Sequence, residues 1–310
     1  MRLRMLVGDF DSPEKVTAQT WGREHINTPH NKEVNLRSAH EAIVLLRNDR
    51  HILPLPTDCG RIAIIGPNGN STVVFTGDYE AIPDHTYTLL EAITLHQEYH
   101  GLPPPSFAPG CKDIHCSDST AFEEAFRVAS QADTLILAMG TNKDSSKEGG
   151  DLAPGECDGE STNVSHFPGC QVKLTEALLS MNKRVVVIGM SGQHLNFPEE
   201  AATAVFAPFL GNYGGLALSH VLYGEYNPAG RLPFTVYKDT NNLPEIGDYD
   251  MTAYPGRTYR YHQLEPQFPF GYGLSYTTFS YSNLKISKRV IQPCEMVHMS
   301  VDVKNEGMSK

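Results

Sequence analysis

Short apolar segments alternate with amphipathic segments through most of the chain. Nearly continuous apolar runs, which are typical of buried strands, occupy residues 61–66, 134–140, 184–189 and, more weakly, 204–207. Apolar residues at helical spacing predict helices over 34–48 and near 87–97, 118–131, 171–182 and 214–223. Buried strands that alternate with such helices predict an α/β fold, a three-layer α/β/α sandwich with a mostly parallel sheet.

The pattern changes after residue 280. Residues 281–286 and 297–303 alternate apolar and polar positions, as strands with one covered face do. The sequence stops at Lys310, and two strands do not form a stable sandwich by themselves. We therefore expect these residues to be the first strands of a truncated β-sandwich.

The loops that follow residues 66, 140 and 190 are the expected site. Ligands of parallel sheets bind beyond the carboxyl ends of the strands. The loop after Gly140 is long and acidic, with carboxylates at Asp144, Glu148, Asp151, Glu156, Asp158 and Glu160. Hydrolysis by a pair of carboxyl groups needs one carboxylic acid and a second carboxylate, and this loop offers one of the two. A solvated acidic loop without chemistry is the alternative, and no partner carboxylate stands out elsewhere in the sequence.

The net charge and the length of the apolar runs argue against two kinds of partner. The formal net charge of −11 argues against a nucleic-acid partner, because phosphate binding requires a basic face, and it is compatible with a neutral substrate. No apolar run reaches the ~20 residues of a membrane helix, so no membrane association is expected.

Six cysteines raise the questions of metal binding and disulfides. Cys111 and Cys116 flank His115, but no second Cys/His pair with zinc-like spacing follows, so we expect no metal. A disulfide that closes this short loop is the better interpretation for a secreted protein. Two glycosylation sequons, which begin at Asn70 and Asn163, favour a secretory or extracellular location.

The aromatic tract Gly-Arg-Thr-Tyr-Arg-Tyr at 256–261, followed by Phe-Gly-Tyr-Gly-Leu-Ser-Tyr-Thr-Thr-Phe at 270–279, identifies a family. It resembles the segment that closes the second domain of family 3 glycoside hydrolases and leads into a fibronectin type III-like domain. Further matches follow in family order, so the resemblance covers nearly the whole chain. They are 38–48, which resembles the helix entering the second domain, 65–70, 77–79, 211–215 and 227–233.

The resemblance implies a domain plan. Residues 1–33 resemble the exit of an N-terminal (β/α) barrel, and 34–240 resemble the α/β sandwich domain. Residues 241–280 are the linker, and 281–310 begin the fibronectin type III-like domain. On this plan the chain packs against a (β/α) barrel in the full-length protein.

The resemblance also assigns a catalytic residue. Lys147-Glu148-Gly149-Gly150-Asp151 resembles the family's acid-bearing segment, which implies that Glu148 is the general acid/base. Two departures from the family pattern are Leu152, where an Arg is usual, and Ser146, where the xylosidase branch often has a Glu.

A second segment, Phe-Pro-Gly-Cys-Gln at 167–171, resembles the family's Leu-Pro-Gly-x-Gln. The stretch between the two segments, 153–166, is longer than usual and contains Cys157. A Cys157–Cys170 disulfide would cross-link this insertion to the second segment, and two free thiols are the alternative. The spacing of Cys111 and Cys116 resembles that of the β-xylosidase branch.

The function implied is that of the C-terminal part of a retaining, exo-acting β-glycosidase, most similar to β-xylosidases, with a glycoside substrate and no cofactor. The family's nucleophile is an Asp of the barrel, and Asp9 and Asp11 do not match its segment, so the chain alone is expected to be inactive. A β-glucosidase-type parent and a non-catalytic carbohydrate-binding or structural module are the alternatives. Xylose, glucose and arabinose remain open as the sugar.

Two unrelated functions fit less well. A phosphate-binding turn at 66–69 would contain Pro67, which lacks the N–H that a phosphate needs, and no Gly-Lys-Ser/Thr follows. A Cys–His hydrolase would use Cys116 or Cys170, but nothing in the sequence orients a histidine towards either.

Overall fold

A computed structural model describes residues 1–77, 81–143, 145, 156–161, 166–193, 195–240, 242–245 and 247–307. Its helices are α1 Arg2–Leu6, α2 Pro29–Ala42, α3 Leu89–Tyr99, α4 Phe122–Ser130, α5 Gln171–Leu179, α6 Gly214–Leu222 and α7 Thr258–Tyr261. Three short 3₁₀ turns lie at Pro13–Lys15, Thr17–Thr20 and Arg23–His25.

The central sheet contains six strands within the described part of the chain: β1 Val44–Asn48, β2 Ile62–Ile65, β3 Ser106–Ala108, β4 Thr134–Gly140, β7 Arg184–Met190 and β8 Thr203–Ala207. Their order across the sheet is β1-β8-β7-β4-β2-β3. All neighbours pair in parallel except β1, which runs antiparallel to β8. The short strands are β5 Glu156–Cys157, β6 Glu160–Ser161, β9 Val236–Tyr237, β10 Pro266–Phe268, β11 Phe279–Ile286 and β12 Met299–Asn305.

Both faces of the sheet are buried, which explains the continuous apolar runs. Successive side chains of a strand point to opposite faces. On β4, Leu135 and Leu137 join the core cluster that contains α4 and α5, whereas Ile136 joins the cluster that contains α3 and α6. The predicted three-layer α/β/α sandwich with a mostly parallel sheet is therefore confirmed.

The predicted helix over 34–48 is wrong in its second half. Helix α2 begins earlier, because Pro29 suits a first helical position and Thr28 Oγ1 accepts a hydrogen bond from Asn31 N at 3.1 Å. The helix ends at Ala42, and the next residues form the antiparallel edge strand β1. The run Ile43 to Leu46 is fully buried, which a strand between two layers allows and a surface helix does not.

The two strands predicted after residue 280 are confirmed. Strands β11 and β12 form an antiparallel hairpin in which every residue of both strands is exposed. Upstream, the aromatic tract packs on the α/β sandwich, because Leu274 N donates to Leu45 O at 2.8 Å and Tyr276 Oη donates to Val221 O at 2.7 Å. Among the described residues, no helix is both long enough and apolar enough to cross a bilayer.

Candidate functional site

The carboxyl ends of β2, β4 and β7 lie side by side, so the loops after residues 66, 140 and 190 meet at one edge of the sheet. Gly66 and Gly140 turn the chain there with φ values of +129° and +122°. A Cβ atom on Gly66 would lie 2.2 Å from Ala138 O, and one on Gly140 would lie 2.1 Å from Met190 O. Only glycine fits these two exits from the sheet.

A buried polar chain connects the three loops. The Asn68 side chain donates from Nδ2 to Thr141 O at 3.2 Å, and Thr141 Oγ1 shares a hydrogen bond of 2.7 Å with Ser191 Oγ. All three residues are buried. The first turn of the loop after β4 is therefore fixed to the loops after β2 and β7.

The side chain of Gln171, the first residue of α5, holds the end of β4. Gly140 N donates to Gln171 Oε1 at 2.8 Å, and Gln171 Nε2 donates to Gly140 O at 3.1 Å and to Ile114 O at 2.7 Å. The amide is completely buried and uses both ends. It fixes the point at which the acidic loop leaves the sheet.

The returning part of the acidic loop is anchored separately. Strands β5 and β6 form a small hairpin whose Cys157 is disulfide-bonded to Cys170, directly before α5. Asp158 N donates to Ser117 O at 2.9 Å, and Ser119 N donates to Asp158 Oδ1 at 3.0 Å. The hairpin is thus held against both α5 and the segment before α4.

Two disulfides are present. Cys111 pairs with Cys116, as predicted, and the Cys157–Cys170 bridge is formed rather than two free thiols. Cys170 N also donates to Cys116 O at 2.7 Å, which joins the two bridged segments. Because Cys116 and Cys170 are both oxidised, neither can serve as the nucleophile of a Cys–His hydrolase.

The structure assigns different surroundings to the acidic residues of the loop. Asp158 is committed to its hydrogen bonds with Ser119, and Glu160 is exposed, 3.8 Å from Lys173 Nζ. Glu156 is also exposed. The other three acids, Asp144, Glu148 and Asp151, lie outside the described residues, as do Ser146, Leu152 and Asn163 of the sequence analysis.

A cleft of about 420 Å³ lies beside the same edge of the sheet, between the start of α2 and the residues before α6. Asn35 Nδ2 donates to Asn212 Oδ1 at 2.7 Å, and Asn212 Nδ2 donates to His85 O at 3.0 Å. The rings of Tyr87 and Tyr213 also line this cleft. Lys32 and Asp84 line it as well, so the cleft combines amides and aromatic rings with one charge of each sign.

The edge of the sheet that carries the site was predictable from the sequence, but the residues that organise it were not. Asn68, Thr141, Gln171 and Ser191 are polar and fully or almost fully buried. Asn68 and Gln171 lie in segments that carry the family resemblance, at 65–70 and 167–171. Their hydrogen-bond partners lie 31 to 73 residues away in the sequence. Spacing along the chain does not reveal such pairs.

The family profile described as the glycosyl hydrolase family 3 C-terminal domain matches residues 43–276. Among curated proteins, the β-xylosidase/α-L-arabinofuranosidase 1 of Medicago sativa subsp. varia is 31% identical over 309 residues, covering 95% of this chain and 38% of that protein. A probable exo-1,4-β-xylosidase of Aspergillus flavus is 34% identical over 286 residues, covering 89% of this chain and 34% of that protein.

Solved structures show the same relationship. A family 3 exo-β-xylosidase in complex with a xylobiose aziridine probe superposes with a TM-score of 0.76 at 28% identity, covering 90% of this chain and 36% of that one. The family 3 β-glucosidase of Bifidobacterium adolescentis gives a TM-score of 0.78 at 27% identity, with coverages of 97% and 44%. The chain spans between 34% and 44% of the length of each of these four proteins.

Proposed function

The chain belongs to glycosyl hydrolase family 3, and from this membership we propose that it is the C-terminal part of a retaining, exo-acting β-glycosidase. The proposed reaction is hydrolysis of terminal β-linked sugars without a cofactor. We propose a β-xylosidase-like enzyme, since the two curated relatives described above carry xylosidase names. A β-glucosidase parent is the alternative, and the β-glucosidase among the similar structures supports this alternative.

The anchored loop after β4 is the observation that carries the proposal. The first residues of the loop are held by Gln171 and by the buried polar chain of Asn68, Thr141 and Ser191. The last residues of the loop are held by the Cys157–Cys170 disulfide. A general acid must keep its carboxyl group within hydrogen-bond reach of the leaving oxygen. The chain is therefore anchored on both sides of the segment that contains Glu148, at Gly140 and Thr141 before it and at Cys157 after it.

In the proposed mechanism Glu148 performs both proton transfers. As an acid it protonates the oxygen of the leaving group while the nucleophile attacks the anomeric carbon and forms a glycosyl-enzyme intermediate. As a base it then removes a proton from the water that hydrolyses this intermediate. Enclosure of Glu148 against the sugar would raise the pKa of its carboxyl group, because burial disfavours the charged form.

The nucleophile is proposed to come from a (β/α) barrel that packs against this chain. Residues 1–26 present apolar side chains to solvent, among them Leu3, Leu6, Phe10, Trp21 and Ile26. Contact with a neighbouring domain would remove this surface from water, which is favourable by about 25 cal/mol per Å². We propose that 1–33 is the exit of that barrel and that 281–310 begins a fibronectin type III-like domain.

We also propose an extracellular or secretory location. Two disulfides hold the candidate site together. Such bonds persist in oxidising compartments and are rare in reducing ones.

Turnover of aryl β-xyloside and aryl β-glucoside tests the proposal. The 310-residue chain alone should not hydrolyse either substrate, whereas the same chain joined to its barrel should hydrolyse at least one with retention of configuration. A joined protein that is folded and binds sugars but hydrolyses neither would favour the non-catalytic carbohydrate-binding module. Turnover by the isolated chain that is lost in Glu148→Gln would contradict the need for a barrel.

A further inference from the structure

The glycosylation sequon at 70–72 lies on the surface of the folded chain. Asn70 is at the end of the turn that follows β2, and both Asn70 and Thr72 are exposed. The chain is buried on either side of them, at Asn68 before the sequon and at Val74 after it. The two residues on which the sequon depends therefore face solvent from a segment that the core holds in place.

Close packing and backbone hydrogen bonds fix this turn. A Cβ atom on Gly69 would lie 2.8 Å from Ile64 Cγ2, so the backbone passes close to β2. Gly69 N donates to Gly66 O at 3.1 Å, and Leu90 N, in the first turn of α3, donates to Gly69 O at 2.9 Å. Asn70 is thus held at the start of α3, on the rim of the sheet edge that carries the candidate site.

The amide group of Asn70 is oriented by Thr88, the residue before α3. Thr88 Oγ1 donates to Asn70 Oδ1 at 3.1 Å and accepts a hydrogen bond from Glu91 N at 3.1 Å. A hydroxyl group can donate one hydrogen bond while it accepts another, so both bonds form together. Asn70 Oδ1 therefore faces the start of α3, whereas Asn70 Nδ2 has no hydrogen-bond acceptor among the described residues.

Asn68, two residues earlier, has the opposite environment. Its side chain is completely buried, and its Nδ2 donates to Thr141 O at 3.2 Å. Asn68 belongs to the buried polar chain of the candidate site, whereas Asn70 contacts α3 and lies outside that chain. A group attached to Asn70 Nδ2 therefore extends from the surface and displaces no hydrogen bond of the polar chain.

We propose that Asn70 carries an N-linked glycan, an inference that rests on the proposed secretory location. The donor is a lipid-linked oligosaccharide pyrophosphate of the secretory pathway. Asn70 Nδ2 attacks the anomeric carbon of the first sugar and forms a carbon–nitrogen bond. The bond from that carbon to the pyrophosphate oxygen breaks, the lipid pyrophosphate leaves with the electron pair, and Nδ2 loses one hydrogen as a proton. The product keeps Oδ1 as an acceptor, so the hydrogen bond from Thr88 persists.

A glycan at Asn70 limits where the proposed barrel can lie. N-linked glycans are bulky and hydrophilic, and they remain on protein surfaces. A domain that covered Asn70 would leave no room for one. The barrel is therefore expected to contact the candidate edge of the sheet without covering the turn at 67–70.

Site-specific mass spectrometry of the secreted chain tests the proposal. The 310-residue chain is joined to a cleavable secretion leader and collected from the medium of cultured eukaryotic cells. Peptide N-glycosidase in oxygen-18 water converts each glycosylated asparagine to a labelled aspartate, and a digest without that enzyme corrects for spontaneous deamidation. We expect the label at Asn70 in most molecules, and peptide mapping separates it from the second sequon at Asn163.

Thr72→Ala and Thr72→Ser form a matched pair at an exposed position. The serine variant keeps the hydroxyl group that the sequon requires, so it should be labelled at Asn70 as the original chain is. The alanine variant should be unlabelled at Asn70 and should carry one glycan fewer by intact mass. Asn70→Gln also removes the site, and it decides the question if Thr72→Ala is not secreted.

The outcomes separate this site from the proposals on which it rests. Discovery of the natural protein in a reducing compartment would contradict the secretory location, whereas the leader sends the chain through the pathway in either case. Neither Asn70 nor Thr72 belongs to the polar chain of the candidate site, so failure here leaves the glycosidase proposal intact. An unlabelled Asn70 in the secreted original chain, or equal labelling of Thr72→Ala and Thr72→Ser, would overturn the proposed glycan.

Discussion

The Gln171 side chain and the Gly140 peptide form two hydrogen bonds with each other. Gly140 N donates to Gln171 Oε1 at 2.8 Å, and Gln171 Nε2 donates back to Gly140 O at 3.1 Å. The first residue of α5 thereby completes the hydrogen bonding at the end of β4, where the acidic loop begins. This pair fixes the point at which the acidic loop leaves the sheet.

Gln171→Leu should destabilise the chain. The change keeps a side chain of similar size but leaves buried polar groups of Gly140 and Ile114 without partners, at about 1–3 kcal/mol for each group. We expect the free energy of unfolding to fall by at least about 2 kcal/mol, measured with urea. The matched control is Gln131→Leu at an exposed position, which should change it by less than about 0.5 kcal/mol.

Gly140→Ala should be as damaging, for a steric reason. The added Cβ would lie 2.1 Å from Met190 O, and the φ of +122° is unfavourable for alanine. Strain at such positions costs about 1–3 kcal/mol, before the clash with Met190 is counted. Gly247→Ala is the control, because its Cβ would meet nothing within 4 Å. Equal unfolding midpoints for the two variants in urea would show that the tight exit from β4 is not required.

Thiol counting should separate the bridged cysteines from the free ones. Cys59 is free and buried, and Cys294 is free and exposed. Without reductant, an alkylating reagent should modify one thiol of the native chain and two of the unfolded chain, and reduction should raise the number to six. Four alkylated thiols in the unfolded, unreduced protein would show that one bridge is absent.

The stability of the chain should fall in mild acid, in part through His166. Burial lowers the pKa of His166 from its ordinary 6.5, and Glu176 opposes the shift. The folded state therefore binds fewer protons than the unfolded state below pH 6.5, so this contribution is complete above pH 6.5 and is lost as the pH falls through the lowered pKa. His166→Gln should weaken the pH dependence of the urea midpoint in that window, and His115→Gln, at an exposed position, should not. Equal slopes in both variants would contradict this assignment.

The central strands were predictable because burial on both faces makes their sequences nearly continuous apolar runs. The prediction of 134–140 coincides with β4, whose seven residues are all buried. The same apolar pattern gave a wrong prediction of helix at 43–46, because a short apolar run is compatible with a buried helix as well as with a strand. Strand β3 was not predicted, because it has only three residues and directly follows three prolines.

The polar organisation of the molecule was much less predictable. Gln171 and Gly140 are 31 residues apart, and His40 and His220 are 180 residues apart. Nothing in the local pattern marks these side chains as partners, because each pair forms only after the sheet and its helices assemble. The acidic loop was predictable from composition and position, and the role of Glu148 stays a prediction that rests on the family resemblance.

The leaving-group dependence of Glu148→Ala, in the chain joined to its barrel, tests the central claim most directly. A general acid matters most when the leaving group is a poor one, because a good leaving group departs without protonation. Glu148→Ala should therefore slow aryl xylosides with poor leaving groups by about 10²–10⁴-fold and activated ones far less, the size expected for general acid catalysis. Glu156→Ala, in the same loop, is the control and should leave both rates nearly unchanged.

Added azide provides the second half of the same measurement. With an activated substrate, azide should restore turnover in Glu148→Ala, because a small anion can attack the glycosyl-enzyme intermediate without a general base. The account predicts this rescue together with the steep leaving-group dependence. An equal loss of rate for all leaving groups, or no loss at all, would contradict it and move the acid to Glu156 or Glu160.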